Sequence, residues 1–258
     1  MAAGRKPRFC VLKADGTNCE VETAFGLSLA GAKAEIVPMN LLRWGEVRLA
    51  RFDGLVVPGG FSYGDDVASG KVLAVELLSR LSADLADFAS AGKPVLGICN
   101  GFQVLIRTGL LPFGEMGRPS AALVTNTSGR YECRWVRLSI EGEAPIVDGL
   151  PSHIDLAAAH GEGRFTADEQ TLARIESEGL VALRYVDAQD NPTADYPANP
   201  NGSEKAIAGV TDPTGRILGL MPHPERFIAP FQHPAWHSGL HADPPHGLSL
   251  LRSVVALA

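Results

Sequence analysis

The chain has 258 residues, a net charge of −6 and hydrophobic residues at 45% of its positions. This length can bury a substantial core within one domain, and the composition is ordinary for a globular protein. An acidic chain lacks the clustered basic residues that phosphate contacts need, and no apolar run reaches the length of a membrane span. We therefore expect a single domain over residues 1–258 that binds neither nucleic acid nor a membrane.

The cysteine pattern indicates the compartment. The four cysteines show no C-x-x-C spacing, and the N-terminus has no apolar stretch long enough for a signal peptide. Thiols without a disulfide pattern are typical of a reducing environment. The sequence thus predicts a cytoplasmic protein.

Strands and helices alternate in the first part of the chain. Apolar runs predict strands at residues 8–12, 34–39, 53–57 and 94–98. Helical spacing predicts a helix from about residue 21 to Gly31 with Asn18 as its N-cap, and helix over 73–91 with a break near 79–82. Residues 40–51 are mixed in pattern and are expected to be a connection that includes a helical turn. Such alternation indicates a mostly parallel sheet with flanking helices.

The second part of the chain has a different pattern. Strand-like runs lie at 123–126, 133–140, 153–159 and 180–185, and helices are predicted over 168–177 and 248–257. Runs at 207–211 and 217–221 flank Asp212-Pro213-Thr214-Gly215, which is typical of a hairpin turn. This part adds antiparallel strands. The predicted fold class is therefore α/β, with a mostly parallel central sheet, flanking helices and added antiparallel strands.

A cysteine between two glycines marks the most informative stretch. The strand predicted at 94–98 leads into Cys99, which lies between Gly97 and Gly101, and a helix-like run ending at Gly109 follows. G-x-C-x-G between a strand and a helix has the form of a nucleophile elbow, in which glycines allow the two elements to approach closely. A helix N-terminus also stabilises negative charge on the sulfur. A buried structural thiol is the alternative, which the glycines and the switch from strand to helix disfavour.

A nucleophilic cysteine also needs a base. The sequence offers one in His223-Pro224-Glu225, shortly after the strand at 217–221. In an extended segment, residues two apart point the same way, so Glu225 can hold the imidazole of His223 in its working tautomer. The alternative is a surface loop with an incidental histidine and glutamate. The elbow and the preceding strand favour the catalytic interpretation.

These motifs resemble those of a known family. Residues 97–103, together with His223-Pro224-Glu225, are similar to class I (triad) glutamine amidotransferases. More closely, the chain resembles the glutaminase subunits of phosphoribosylformylglycinamidine synthase, and the resemblance runs nearly end to end. The further segments that carry it are 15–20, 58–65, 130–135, 160–165 and 196–203. The fold that this resemblance implies is the flavodoxin-like fold of class I amidotransferases.

The resemblance implies the chemistry of the site. Cys99 would attack the side-chain amide of L-glutamine and pass through a thioester to glutamate and ammonia, with His223 and Glu225 completing the triad. The oxyanion donors would be the backbone N–H groups of Gly60 and Asn100. The glutamine-binding residues would be Gln103, His160, Gly161 and Glu162. No metal is expected in this site.

The resemblance also implies a division of labour between subunits. The chain would carry no cofactor of its own. Ammonia would pass to a large synthetase subunit, which would hold ATP and Mg²⁺ and make formylglycinamidine ribonucleotide in de novo purine biosynthesis. Many bacteria add a small bridging subunit to this complex. Docking of the partner is expected to complete the glutaminase site.

Two other functions stay open from the sequence. One is a different hydrolase on a similar fold, such as a γ-glutamyl hydrolase or a DJ-1-like protein. DJ-1-like proteins place a histidine directly after the nucleophile, where this chain has Asn100. The other is a non-catalytic binding module, which the intact Cys99, His223 and Glu225 disfavour.

Two further patterns suggest ligand binding, but the sequence disfavours it in both cases. Residues 64–71 resemble a phosphate-binding P-loop, but the spacing is one residue too long and two aspartates would repel phosphate. Histidines near the C-terminus suggest metal, but prolines and glycines between them prevent a regular helical face. These histidines are His233, His237, His241 and His246. We expect residues 231–247 to be an exposed loop, with partner contact as a hypothesis.

Overall fold

Short apolar runs form the strands, and segments with helical spacing pack against them. The computed structural model describes residues 5–239 and 242–258. The strands are β1 (Arg8–Lys13), β2 (Lys33–Pro38), β3 (Gly54–Val57), β4 (Val95–Ile98), β5 (Ala121–Val124), β6 (Glu132–Ile140), β7 (His153–His160), β8 (Arg164–Ala167), β9 (Val181–Tyr185), β10 (Ile207–Thr211) and β11 (Ile217–Leu220). The helices are α1 (Glu20–Leu29), α2 (Met39–Arg43), α3 (Lys71–Arg80), α4 (Ser82–Ser90), α5 (Asn100–Thr108), α6 (Glu169–Ser177) and α7 (His246–Ala256).

Nine of these strands form one sheet, in the order β2-β1-β3-β4-β11-β10-β9-β6-β7. The first five pair in parallel, and the last four continue the sheet through antiparallel pairings. The remaining strands, β5 and β8, form a separate antiparallel pair. The predicted α/β class, with a mostly parallel sheet and added antiparallel strands, is confirmed. None of the described helices is long and apolar enough to cross a membrane.

The central parallel strands are buried on both faces. Every residue of β3, β4 and β11 is buried, which explains why their sequences are continuous apolar runs rather than alternating patterns. Helix α5 packs on β4 and β11. Gly219 of β11 leaves room for this helix, because a Cβ there would lie 2.0 Å from Phe102 Cδ2. This packing fixes the start of α5 at the carboxyl ends of the parallel strands, where ligands bind in such sheets.

Several boundaries differ from the sequence prediction. Met39 starts α2 instead of ending β2. The connection over 40–51 contains most of α2 and a short 3-10 turn, in agreement with the helical turn expected there. Asn18 is not the N-cap of α1, because Cys19 occupies that position. Instead, Asn18 Oδ1 accepts a hydrogen bond from Cys19 Sγ at 3.3 Å. Strand β8 was not predicted, since Phe165 is its one buried residue.

The segment 231–247 is not exposed throughout. The ring of His233 lies 4.7 Å from that of Trp135, and His246 Nδ1 accepts a hydrogen bond from a backbone N–H of β7 at 2.8 Å. Two of the histidines considered as metal ligands thus pack against the body of the protein. His241 lies outside the described residues. The expectation of an exposed loop was therefore wrong for His233 and for residues 245–247, which are partly or fully buried.

Candidate active site

The candidate nucleophile lies at a strained turn. Cys99 joins β4 to α5 with φ 51° and ψ −105°, a backbone conformation that residues other than glycine rarely adopt. A Cβ at Gly101 would lie 1.8 Å from Val57 O, and a Cβ at Gly97 would lie 2.6 Å from Leu105 Cδ1. The two glycines therefore let the helix and the strands approach closely, as the elbow motif predicts.

His223 reaches the same end of the sheet from the neighbouring strand. Strand β11 pairs in parallel with β4, and shortly after it His223 N donates a hydrogen bond to Ala157 O at 2.7 Å. Residues 224–226 form a short 3-10 turn, so this segment does not have the extended form considered for it. The two side chains meet nevertheless, because His223 Nδ1 lies 2.5 Å from Glu225 Oε1.

Both members of this pair are almost completely buried, with 1% of each residue exposed. Burial opposes the charged imidazolium, but the charges of Glu225 and Cys99 outweigh it and raise the pKa of His223 well above its ordinary value. His223 Nε2 is buried and has no hydrogen-bond partner in the described part of the chain. This nitrogen can therefore exchange a proton with a group that enters the site.

One cleft at the carboxyl ends of the strands collects most of the candidate residues. Those that line it are Gly60, Cys99, Gln103, His160, Gly161, Glu162 and His223. Glu225 lies behind His223, and Asn100 lies beside the cleft, where its Oδ1 accepts a hydrogen bond from Ser62 N at 3.2 Å. The structure thus brings together residues that lie as far as 163 positions apart in the sequence, from Gly60 to His223.

Hydrogen bonds fix Gln103 along one wall of the cleft. Gln103 Nε2 donates to Glu162 O at 2.6 Å, and Gln103 Oε1 accepts from Asn100 Nδ2 at 3.0 Å. Glu162 therefore contacts Gln103 through its backbone carbonyl rather than through its side chain. Both ends of the Gln103 amide are engaged, so its position in the cleft is set before any substrate enters.

The neighbouring His160 is buried and does not resemble a second base. Its Nε2 lies 3.5 Å from Asn201 Nδ2. Burial, together with the charge of His223, lowers the pKa of His160 to about 4, so the imidazole is neutral near neutral pH. Gly161 O accepts a hydrogen bond from the backbone of Asn126 at 2.9 Å. The segment forms a rigid wall rather than a proton shuttle.

The two candidate oxyanion donors occupy suitable backbone positions. Gly60 has φ 141°, and a Cβ there would lie 2.7 Å from Asn18 N, so glycine is required at this point of the cleft lining. Asn100 is the first residue of α5, and N–H groups in the first turn of a helix have no partner within the helix. The role of both groups as oxyanion donors stays a prediction.

The cleft has further lining residues that the sequence analysis did not assign. They include Asn18, Cys19, Phe61, Asp65, Tyr131 and Arg226. Arg226 Nη2 donates to Cys19 Sγ at 3.6 Å. These residues lie within or beside the segments that carry the family resemblance. No local sequence pattern predicts that these residues line the cleft, because their placement depends on how distant loops fold together.

One group of side chains has the composition of a metal site. Ligand atoms of Cys19, His223 and Glu225 lie within 4.8 Å of one another. The 2.5 Å contact between His223 and Glu225 already uses one atom of each. The arrangement therefore fits an imidazole held by a carboxylate better than a set of three converging ligands.

Comparison with known proteins identifies the family. Residues 6–256 match the family described as CobB/CobQ-like glutamine amidotransferase domain. The chain is 42% identical to phosphoribosylformylglycinamidine synthase subunit PurQ of Methanococcus maripaludis, over 89% of this chain and 86% of that protein. It is 38% identical to the subunit of the same name from Dehalococcoides mccartyi, over 98% of each chain. The chain belongs to the PurQ family of glutamine amidotransferases.

Solved structures agree with this PurQ membership. A chain in the structure of PurLQS from Thermotoga maritima is 31% identical, with a TM-score of 0.74 over 98% of this chain and 99% of that chain. The glutaminase domain of CTPS from Trypanosoma brucei, at 15% identity and a TM-score of 0.59, shares the fold. The predicted class I amidotransferase is confirmed, and the other hydrolases and the binding module are set aside.

Proposed function

We propose that Cys99, His223 and Glu225 form the catalytic triad of a glutaminase that supplies ammonia to phosphoribosylformylglycinamidine synthase. The observation that carries this proposal is the shared cleft. It brings a thiol on a strained turn together with a buried imidazole whose Nδ1 contacts a carboxylate at 2.5 Å. Nucleophile, base and orienting group are the three parts that acyl transfer through a cysteine requires.

The first half of the reaction forms a thioester. Cys99 Sγ attacks the side-chain amide carbon of glutamine, and the carbonyl π electrons move to oxygen, where the N–H groups of Gly60 and Asn100 stabilise the negative charge. His223 Nε2 takes the thiol proton and gives it to the amide nitrogen. The carbon–nitrogen bond then breaks, ammonia leaves and the carbonyl re-forms.

The second half returns the enzyme to its starting state. Water attacks the thioester carbon while His223 takes its proton, and the oxyanion forms in the same place. Collapse of this intermediate breaks the carbon–sulfur bond, the proton passes to Sγ, and glutamate leaves. Glu225 holds Nδ1–H throughout, so that Nε2 faces the reacting groups and the transient imidazolium is stabilised.

The partner in this proposal is a synthetase of the PurL type. The relatives are named as subunits of phosphoribosylformylglycinamidine synthase, and the Thermotoga structure is named PurLQS. In our proposal the synthetase holds ATP and Mg²⁺, and a small bridging subunit joins the two. The present chain acts in the cytoplasm as one glutaminase domain over residues 1–258, without a cofactor of its own.

Release of glutamate from glutamine tests the proposal. We expect wild-type protein to release glutamate, and faster when the PurL-type synthetase, ATP and formylglycinamide ribonucleotide are present. Cys99→Ser should lower this rate by about 10³-fold or more, because the hydroxyl is a far weaker nucleophile at neutral pH. Cys133→Ser is the matched control, since this thiol is exposed and lies outside the cleft. Equal rates for wild type and Cys99→Ser would refute the proposed triad.

A further inference from the structure

Two carboxylates line the cleft on the side of Gln103, and their charge is not balanced. Asp65 and Glu162 both belong to the cleft lining. Among the described residues, no lysine, arginine or histidine forms an ion pair with either of them within 4.0 Å. Burial raises the pKa of Asp65, and the charge of Glu162 adds to this effect. This wall of the cleft therefore favours a cation.

Asp65 is tied to the nucleophile through one residue. Asn100, the neighbour of Cys99, donates through Nδ2 to Asp65 Oδ1 at 3.0 Å and to Gln103 Oε1 at 3.0 Å. Gly70 N also donates to Asp65 Oδ1, at 3.2 Å. The hydrogen bonds from Asn100 and Gly70 therefore use the same oxygen of the Asp65 carboxylate. The carboxylate is thus held at a set position along the wall that leads to Cys99.

A second feature of the same cleft points to a ligand. His223 Nε2 is buried and without a partner among the described residues, although it lines this cleft. An unpartnered buried nitrogen is unfavourable unless another group satisfies it. The cleft therefore has a reactive end at Cys99 and His223 and a charged wall at Asp65 and Glu162, which is the layout expected for a substrate with an amide at one end and a cation at the other.

We propose that Asp65 receives the α-ammonium group of glutamine, and so makes the site select substrates with a free, charged α-amino group. This inference rests on the proposed glutaminase function. A carboxylate and an ammonium form a charge-assisted hydrogen bond, which is stronger than one between neutral groups. A site built around such a bond rejects analogues that lack the donor, because the carboxylate is then left unpaired. Asn100 acts as a positioning residue that holds Asp65.

Asp65→Asn tests this role, with 4-carbamoylbutanoate as the second substrate. That compound is glutamine with the α-amino group replaced by hydrogen. The asparagine keeps an oxygen that can accept from Gly70 N and Asn100 Nδ2 but removes the charge. In the assembled synthase, we expect kcat/KM for glutamine to fall about 10- to 100-fold through KM, while kcat/KM for 4-carbamoylbutanoate stays within about threefold. Discrimination between the two substrates therefore collapses.

Controls separate this role from a structural one. Asp66→Asn changes the adjacent exposed carboxylate, which does not line the cleft, and should leave both substrates unaffected. An equal fall in kcat/KM for both substrates in Asp65→Asn would mean that Asp65 only shapes the loop. If turnover of 4-carbamoylbutanoate is too slow, its Ki against glutamine is measured instead, and an unchanged Ki supports the proposal.

The same experiment distinguishes failure of this inference from failure of the glutaminase assignment. If the wild-type protein and the Asp65→Asn variant discriminate equally well between glutamine and 4-carbamoylbutanoate, the role of Asp65 is overturned and the glutaminase assignment stands. Absence of glutamate release by the wild-type complex overturns the glutaminase itself, and with it the inference.

Discussion

His223 Nδ1 lies 2.5 Å from Glu225 Oε1, and both residues are 1% exposed. A carboxylate oxygen accepts a hydrogen bond, so the short contact places a proton on Nδ1 whether the ring is neutral or charged. Nε2 has no partner in the described part of the chain. The geometry thus makes Nε2 the nitrogen that exchanges a proton with Cys99.

Glu225→Gln is expected to keep the position of the imidazole while removing the charge that supports it. The amide can hold either tautomer, and it cannot stabilise the imidazolium. We expect kcat for glutamate release to fall about 10²- to 10⁴-fold, with little change in KM for glutamine. Steady-state kinetics in the presence of the synthetase measure both constants. Glu178→Gln, on the surface, is the control. A variant with wild-type kcat would exclude Glu225 from the triad.

The close approach of α5 to the sheet predicts a large effect of Gly101→Ala. The added Cβ would lie 1.8 Å from Val57 O, and a backbone atom in a buried strand cannot move aside. We expect the free energy of unfolding to fall by about 3 kcal/mol or more. Urea unfolding measures this. In the matched control Gly161→Ala, the atom nearest to the added Cβ would be Tyr131 Cδ2 at 3.9 Å. This variant should therefore be about as stable as wild type. Equal stability of the two variants would contradict the packing argument.

The parallel half of the fold was predictable because its signals are local. Strands buried on both faces appear as continuous apolar runs, and β3, β4 and β11 all have this form. The elbow at Cys99 was predictable for a similar reason, because strand, cysteine and helix are consecutive. Strand β8 was missed, since a short strand with one buried residue differs little from a loop in sequence.

The rest of the cleft depends on loop conformations that leave no periodic signal. Tyr63, Asp65 and Val67 all have positive φ values, of 54°, 54° and 73°, in a chain segment where no glycine at those positions announces the turn. The segment around Asp65 reaches the cleft through these turns. The 3-10 turn after His223 was missed for a related reason, since the proline that stiffens the segment also suits the first position of a helical turn.

Asn201 stabilises the wall that carries His160. Its Nδ2 donates to Gly163 O at 2.9 Å and to Tyr185 Oη at 3.1 Å, and its Oδ1 accepts from Ser203 N at 3.0 Å. Asn201 is completely buried, so Asn201→Ala leaves several buried groups unpaired. We expect the free energy of unfolding to fall by about 2–4 kcal/mol.

The same variant should also weaken substrate binding. The loop that carries residues 160–162, which we propose bind glutamine, loses its support, so KM for glutamine should rise more than kcat falls. Urea unfolding and steady-state kinetics give the two readouts. The control is Asn191→Ala, whose side chain is exposed. A stable variant with unchanged KM would show that Asn201 does not hold this wall.

The pKa of His160 predicts how stability depends on pH. This pKa is lowered to about 4 in the folded protein, against about 6.5 in the unfolded chain. Between these values the unfolded state binds a proton that the folded state does not. The contribution of His160 is therefore complete above about pH 6.5 and is lost as the pH falls toward about 4, by about 3 kcal/mol in total. Below that range no further loss arises from this residue.

His160→Gln tests this dependence, because glutamine does not titrate and still offers a polar group to Asn201. We expect the free energy of unfolding of wild type to fall more steeply than that of the variant between about pH 6.5 and about pH 4.5. Urea unfolding at pH intervals across this range gives the slope of the free energy of unfolding against pH. Because slopes are compared, a constant difference in stability between the proteins does not affect the result. His237→Gln, with an exposed ring, should follow the wild-type slope. Parallel curves for wild type and His160→Gln would mean that His160 does not stay neutral in the folded protein.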